Sequence, residues 1–108
     1  MANPWRSEVA LEIDGTSYPA KLTLGALVEL ETLLKFSSLQ DFVQDFEEQK
    51  FSAKDVAAVL FVAAKAGGWQ GDFEALLSAK IPGGPMAATQ KAVALLVAAF
   101  SLPGDGEV

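Results

Sequence analysis

The sequence EVALEIDGTSYPAKLT (residues 8–23) alternates apolar and polar side chains on both sides of an Asp14-Gly15 step. The apolar positions are Val9, Leu11 and Ile13 before the step, and Tyr18, Ala20 and Leu22 after it. Period-two alternation around Asp-Gly is typical of an antiparallel β-hairpin. Pro19 has no N–H to donate, so we expect it to face outward from an edge strand. Two strands alone are marginally stable, so the face formed by Val9, Leu11 and Ile13 must pack on the rest of the chain.

Five amphipathic helices are predicted after the hairpin, over residues 24–35, 38–50, 52–66, 72–80 and 85–101. Ser38 and Ser52 each stand three residues before an Asp, a pattern typical of helix N-termini. Gly67-Gly68 ends the third helix and Pro85 opens the fifth. The predicted apolar faces are Leu24, Leu27, Leu30 and Leu34; Leu39, Phe42, Val43 and Phe46; Val56, Val59, Leu60 and Ala63; and Phe73, Leu76 and Leu77. The predicted fold is α+β and mostly helical, a single domain over residues 1–102 with a frayed tail at 103–108.

Composition excludes several classes of function. The chain has 108 residues, of which 51% are hydrophobic, and this is enough for one domain with its own core. It contains neither Cys nor His, so disulfides, thiolate sites and the commonest general base and zinc ligand are excluded. The net charge is −6 and the few basic residues are scattered, which disfavours nucleic-acid binding. No apolar run approaches the roughly 18 residues of a membrane span, and no targeting segment is evident, so a cytoplasmic location is expected.

Catalytic patterns are also missing from the sequence. Glu29 and Glu31 are two residues apart, so on a helix they point about 200° away from each other and cannot form a dyad. A solvated face or a partner contact remains open for Glu29. The paired glycines do not form a phosphate-binding loop. We therefore expect no enzyme activity, no cofactor or metal, and no small-molecule substrate.

Candidate partner-binding residues lie on the second helix and in the loop after the third. The five candidates are Phe42, Asp45, Phe46, Glu48 and Trp69. The second helix is either a solvated acidic face above two core phenylalanines or a docking surface for a basic, amphipathic helix. Trp69 either folds back over the core or anchors a partner. The fifth helix carries only one charge, Lys91, and is either central or a partly exposed interaction face.

The first thirty-one residues resemble a family of small proteins encoded beside the tail genes of gene transfer agents and related prophages. The resembling residues are Asn3-Pro4, Arg6, the strand at residues 8–11 ending at Gly15, and the segment LGALVELE at residues 24–31. The family is described as a tail tube protein or as a tail assembly chaperone. The resemblance implies partners such as the tape-measure protein or tail tube subunits. Of these two descriptions we favour the chaperone, because a tube subunit needs more β-sheet than the one predicted hairpin.

Other interpretations remain open beside the chaperone. A structural subunit of the tail tube would be associated with the virion. A small cytoplasmic protein-binding module unrelated to phage, or a small enzyme or carrier, would lack the tail partners. The enzyme or carrier would need a nucleophile, a base or a cofactor loop, and the sequence supplies none of these.

Overall fold

The structure, a computed structural model, describes residues 8–100 of the chain. A hairpin of β1 (Glu8–Ile13) and β2 (Thr16–Lys21) precedes five helices: α1 (Leu24–Leu34), α2 (Leu39–Glu47), α3 (Ala53–Ala66), α4 (Phe73–Leu77) and α5 (Gly84–Phe100). The predicted α+β, mostly helical fold is confirmed. The last predicted residues of the domain and the tail at 103–108 lie outside the described range.

The hairpin forms with the predicted turn and the predicted inner face. Asp14 and Gly15 both have positive φ, 52° and 88°, which a two-residue type I′ turn requires. Ile13 pairs with Thr16 across this turn. Leu11 and Ile13 are buried in the core, Val9 packs against it, and Pro19 is exposed. The inner face therefore docks as expected.

Helix α3 is the centre of the domain. Ser52 and Asp55 form a reciprocal capping box at its start, with N–H···O distances of 2.9 and 3.2 Å. It contacts α1, α5, α4 and β2. Eight residues of α3 are buried instead of the four predicted: Val56, Ala58, Val59, Leu60, Phe61, Val62, Ala63 and Ala64. Elements on several sides of α3 explain why almost its whole circumference is apolar.

Thr23 caps α1 by accepting a hydrogen bond from the Ala26 N–H. Some helix faces and ends differ from the prediction. Ala26 and Leu30 are the buried residues of α1, whereas Leu24 is 79% exposed. Leu24 lies about 200° around the helix from Ala26, so the face that meets α3 cannot include it. Its predicted core position was wrong, and the same is true of Leu77 in α4, which is exposed. Helices α2 and α4 end three residues earlier than predicted.

The end of α3 lies against the backbone of β2, and Gly67 makes this close approach feasible. A Cβ at Gly67 would lie 2.8 Å from the Pro19 carbonyl carbon. Gly67→Ala should therefore lower the free energy of unfolding by about 1–3 kcal/mol, because two backbones would have to separate. Gly25→Ala is the matched control, since its Cβ would meet nothing closer than 3.9 Å. Urea unfolding of both variants tests this, and equal stabilities would contradict it.

Candidate protein-interaction site

Helix α2 carries the acidic candidates on the outside and the aromatic candidates on the inside. Ser38 caps the helix by accepting a hydrogen bond of 3.0 Å from the Asp41 N–H. Phe42 and Phe46 are only 5% and 4% exposed, so both rings belong to the core. Asp45 and Glu48 are exposed. The two phenylalanines are therefore core residues, which is one of the two alternatives stated above. Of the four candidates in and beside α2, only the two carboxylates are available at the surface.

A row of four phenylalanines fastens α2 to the domain. The centroids of Phe36 and Phe42 are 4.7 Å apart, those of Phe42 and Phe46 are 5.0 Å apart, and those of Phe46 and Phe51 are 4.6 Å apart. Stacked and tilted aromatic pairs at these distances add to the burial of the rings. Phe36 and Phe51 lie in the loops on either side of α2. The row therefore holds both ends of the helix and fixes where its acidic face points.

A shallow groove of about 510 Å³ lies between α2 and the end of α5. Its lining residues are Leu39, Gln40, Val43, Gln44, Glu47, Glu48 and Phe100. Leu39, Val43 and Phe100 form the apolar part, and Glu47 and Glu48 supply negative charge. Gln44 donates a hydrogen bond of 3.1 Å to Glu48. The groove thus lies between the acidic helix α2 and the fifth helix α5. Asp45 is on α2 but does not line the groove, and Trp69 does not line it either.

Helix α5 is partly exposed. Ala92, Leu95 and Leu96 are buried on its inner side. Met86 is 71% exposed and Val97 is 56% exposed. Of the two alternatives from the sequence, the partly exposed helix is the one observed. An α-helix with so few charges usually lies in the middle of a domain. The packing of the domain therefore does not explain why the exposed side of α5 is apolar.

Trp69 folds back over the end of α3. Its ring lies edge-on to Phe61, with centroids 6.2 Å apart. Phe61 also packs edge-on against Phe73, at 5.4 Å. A Cβ at Gly71 would collide with the indole, so this glycine leaves room for the fold-back. Trp69 is half-buried, and part of its ring remains at the surface.

Glu29 has a partner within the domain. Lys65 on α3 lies 2.8 Å from the Glu29 carboxylate and 5.0 Å from the centre of the Phe61 ring. This ion pair joins α1 to α3. The two residues are 36 positions apart in the sequence, so spacing along one helix gave no signal for the pair.

A second, larger groove was not predicted from the sequence. It holds about 1100 Å³ between α3, α4, the start of α5 and the hairpin turn. Val56, Leu60, Leu76 and Ala88 are among its apolar lining residues. Since four separate segments form it, no local pattern in the sequence could have indicated it.

Within residues 8–100, no group of three or more acidic side chains could hold a metal ion. The helices of this same range are all too short or too polar to cross a membrane. The candidate site is a protein surface with an apolar groove and an acidic rim.

The chain belongs to the family described as phage tail tube protein, GTA-gp10, which matches residues 6–102. No curated protein and no solved structure matches it. The family agrees with the resemblance found in residues 1–31 and makes this a phage tail protein. The alternative of a binding module unrelated to phage is therefore wrong.

Proposed function

We propose that this tail protein is a non-enzymatic assembly chaperone, which acts in the cytoplasm and binds the tape-measure protein or tail tube subunits before assembly. The observation that carries the proposal is the groove between α2 and α5. Its apolar floor suits the apolar side of a partner helix, and its acidic rim suits basic residues beside that side. A partner held in this way would keep its apolar surface away from water until assembly.

Charge supports the choice of a basic partner helix. Asp45, Glu47 and Glu48 project from the exposed part of α2, and the whole chain has a net charge of −6. Lys50 lies 3.2 Å from Glu48 and offsets part of this charge. Complementary charge speeds association and selects partners, more than it adds affinity. The acidic face therefore gives selectivity, and the apolar floor of the groove gives most of the binding energy.

The five candidate residues take different parts in this proposal. Asp45 and Glu48 attract the partner directly. Phe42 and Phe46 position α2 from below and do not touch the partner. Trp69 follows the C-terminal end of α3 and lies outside the groove. Its exposed part forms a separate contact point.

A structural role in the tail tube is the second candidate, and the family description favours it. The described residues contain one two-stranded sheet and no further strand. A tube subunit needs sheet to form its ring, so this fold favours the chaperone. Purified tail particles distinguish the two: a structural subunit would be present in stoichiometric amounts, whereas a chaperone would be absent.

Reversing two charges of the acidic face should weaken capture of the partner. Asp45→Lys with Glu48→Lys should reduce co-purification with a co-expressed tape-measure protein by about tenfold, and raised salt should have the same effect. Both side chains are exposed, so the melting temperature should stay close to that of the parent.

The matched control changes the net charge equally at two residues outside the lining of the groove. Glu31→Lys with Glu74→Lys replaces two exposed carboxylates on α1 and α4. Capture should survive this change. Equal capture by both double variants would show that the acidic face is only a solvated surface.

A further inference from the structure

Within residues 8–100, the outer edge of β1 has backbone groups with no partner strand. In an antiparallel pair, residues alternate between those that bond across the pair and those whose N–H and C=O point outward. Ile13 and Thr16 flank the two-residue turn and form a bonded pair. By alternation, Glu8, Ala10 and Glu12 point their backbone groups outward. Among residues 8–100, no backbone hydrogen bond joins these three to another segment.

The outer edge of β2 differs because it is closed. Pro19 lies opposite Ala10 and therefore points outward on β2. It has no N–H, and its carbonyl lies against the backbone of Gly67. An additional strand could not pair along this edge, so in the described part of the chain the β1 edge is the one that can accept a strand.

The turn residue next to β1 already binds a loop residue on this side of the hairpin. The Asp14 N–H donates to the Lys80 carbonyl at 2.9 Å, and the Lys80 N–H donates to the Asp14 carboxylate at 2.8 Å. Lys80 lies in the loop between α4 and α5. This contact occupies only the turn, and among the described residues it leaves the outward backbone groups of Glu8, Ala10 and Glu12 available to a longer strand.

We propose that β1 binds an extended segment of another protein as an antiparallel third strand, and that this segment carries basic residues at alternate positions. Main-chain hydrogen bonds to Glu8, Ala10 and Glu12 would hold it, as in other cases of strand addition. Glu8 and Glu12 face the same side of the sheet, so they would lie beside every second side chain of the new strand. Lysine or arginine at those positions would pair with Glu12, and with Glu8 in competition with Lys21 of β2, whose Nζ lies 3.8 Å from the Glu8 carboxylate.

A second copy of the chain does not fit this edge. An antiparallel pair of β1 strands centred on Ala10 would place Glu8 of each copy opposite Glu12 of the other. Like charges directly opposite each other destabilise a sheet. Acidic residues on an exposed edge also protect against self-association. The charge pattern that rejects a second copy is the one that selects a basic segment.

The test uses the peptide acetyl-KVKVKVK-amide, titrated against the isotope-labelled protein at low salt. Binding should shift the amide resonances of Glu8, Ala10 and Glu12 and slow their hydrogen exchange. The same peptide with a methyl group on the backbone nitrogen of each lysine loses the main-chain donors that face β1, and it should not bind. Methylation of the backbone nitrogens of the valines removes only N–H groups that point away from β1, so this peptide should still bind. The acidic peptide acetyl-EVEVEVE-amide should not bind.

Two variants locate the contact. Glu12→Lys should weaken peptide binding by about fivefold, as expected for the loss of one favourable cross-strand pair, whereas Glu31→Lys should leave it unchanged. Ala10→Pro removes one outward donor without breaking a bond to β2 and should abolish binding, with circular dichroism as the check on folding. No shift at the three amides, or equal binding of both methylated peptides, would overturn the proposal and leave Glu8 and Glu12 as guards of an unused edge.

Discussion

Phe46→Ala should lower the free energy of unfolding by about 3–5 kcal/mol, the largest effect expected for a single substitution in this chain. The ring is 4% exposed and contacts both Phe42 and Phe51. Its removal leaves a cavity in the middle of the aromatic row; Phe51 loses a stacked partner and Phe42 loses a tilted one. Since domains of this size have about 5–15 kcal/mol of stability, such a loss should be plain in urea or thermal unfolding.

Phe46→Leu is the control, because it keeps most of the buried volume and should cost clearly less. A loss below about 1 kcal/mol for Phe46→Ala would show that α2 is loosely attached. The variant also bears on the binding proposal. Capture of a partner should fall together with stability here, whereas reversal of Asp45 and Glu48 should reduce capture alone.

Leu11→Ala should cost about 2–4 kcal/mol. Leu11 is fully buried and lies on the inner face of the hairpin, where α3 and α5 contact the sheet. Leu24→Ala makes the same chemical change at a residue that is 79% exposed, so it should shift stability by less than about 0.5 kcal/mol. Equilibrium unfolding of both variants gives the comparison. A loss under half a kcal/mol at Leu11 would mean that the hairpin is peripheral to the core.

Local signals were predictable from the sequence. The Asp14-Gly15 turn, the Ser38 cap and the capping box of Ser52 with Asp55 all formed as expected. Each depends on residues within four positions of one another, so the sequence contains the whole interaction. The same reasoning placed Phe42 and Phe46 on one face of α2.

The assignment of helices to the centre or the surface was less predictable. Helix α5 carries fewer charges than α3, yet α3 is the enclosed helix and Val97 on α5 is exposed. Burial depends on how many neighbours surround a helix, and this is a property of the tertiary fold. The same limit applies to the pair of Glu29 with Lys65 and to both grooves, because each joins segments that are distant in the sequence.

The contact between Asp14 and Lys80 has a consequence for the order of folding. The two residues are 66 positions apart. During synthesis the hairpin emerges before the loop that contains Lys80 and before α5, which packs on β1. Contacts of such long range slow folding, because a large loop must close before they form. We therefore expect hairpin docking to be a late step, so that Leu11 and Ile13 of the nascent chain stay accessible to chaperones of the cell until α5 has been made.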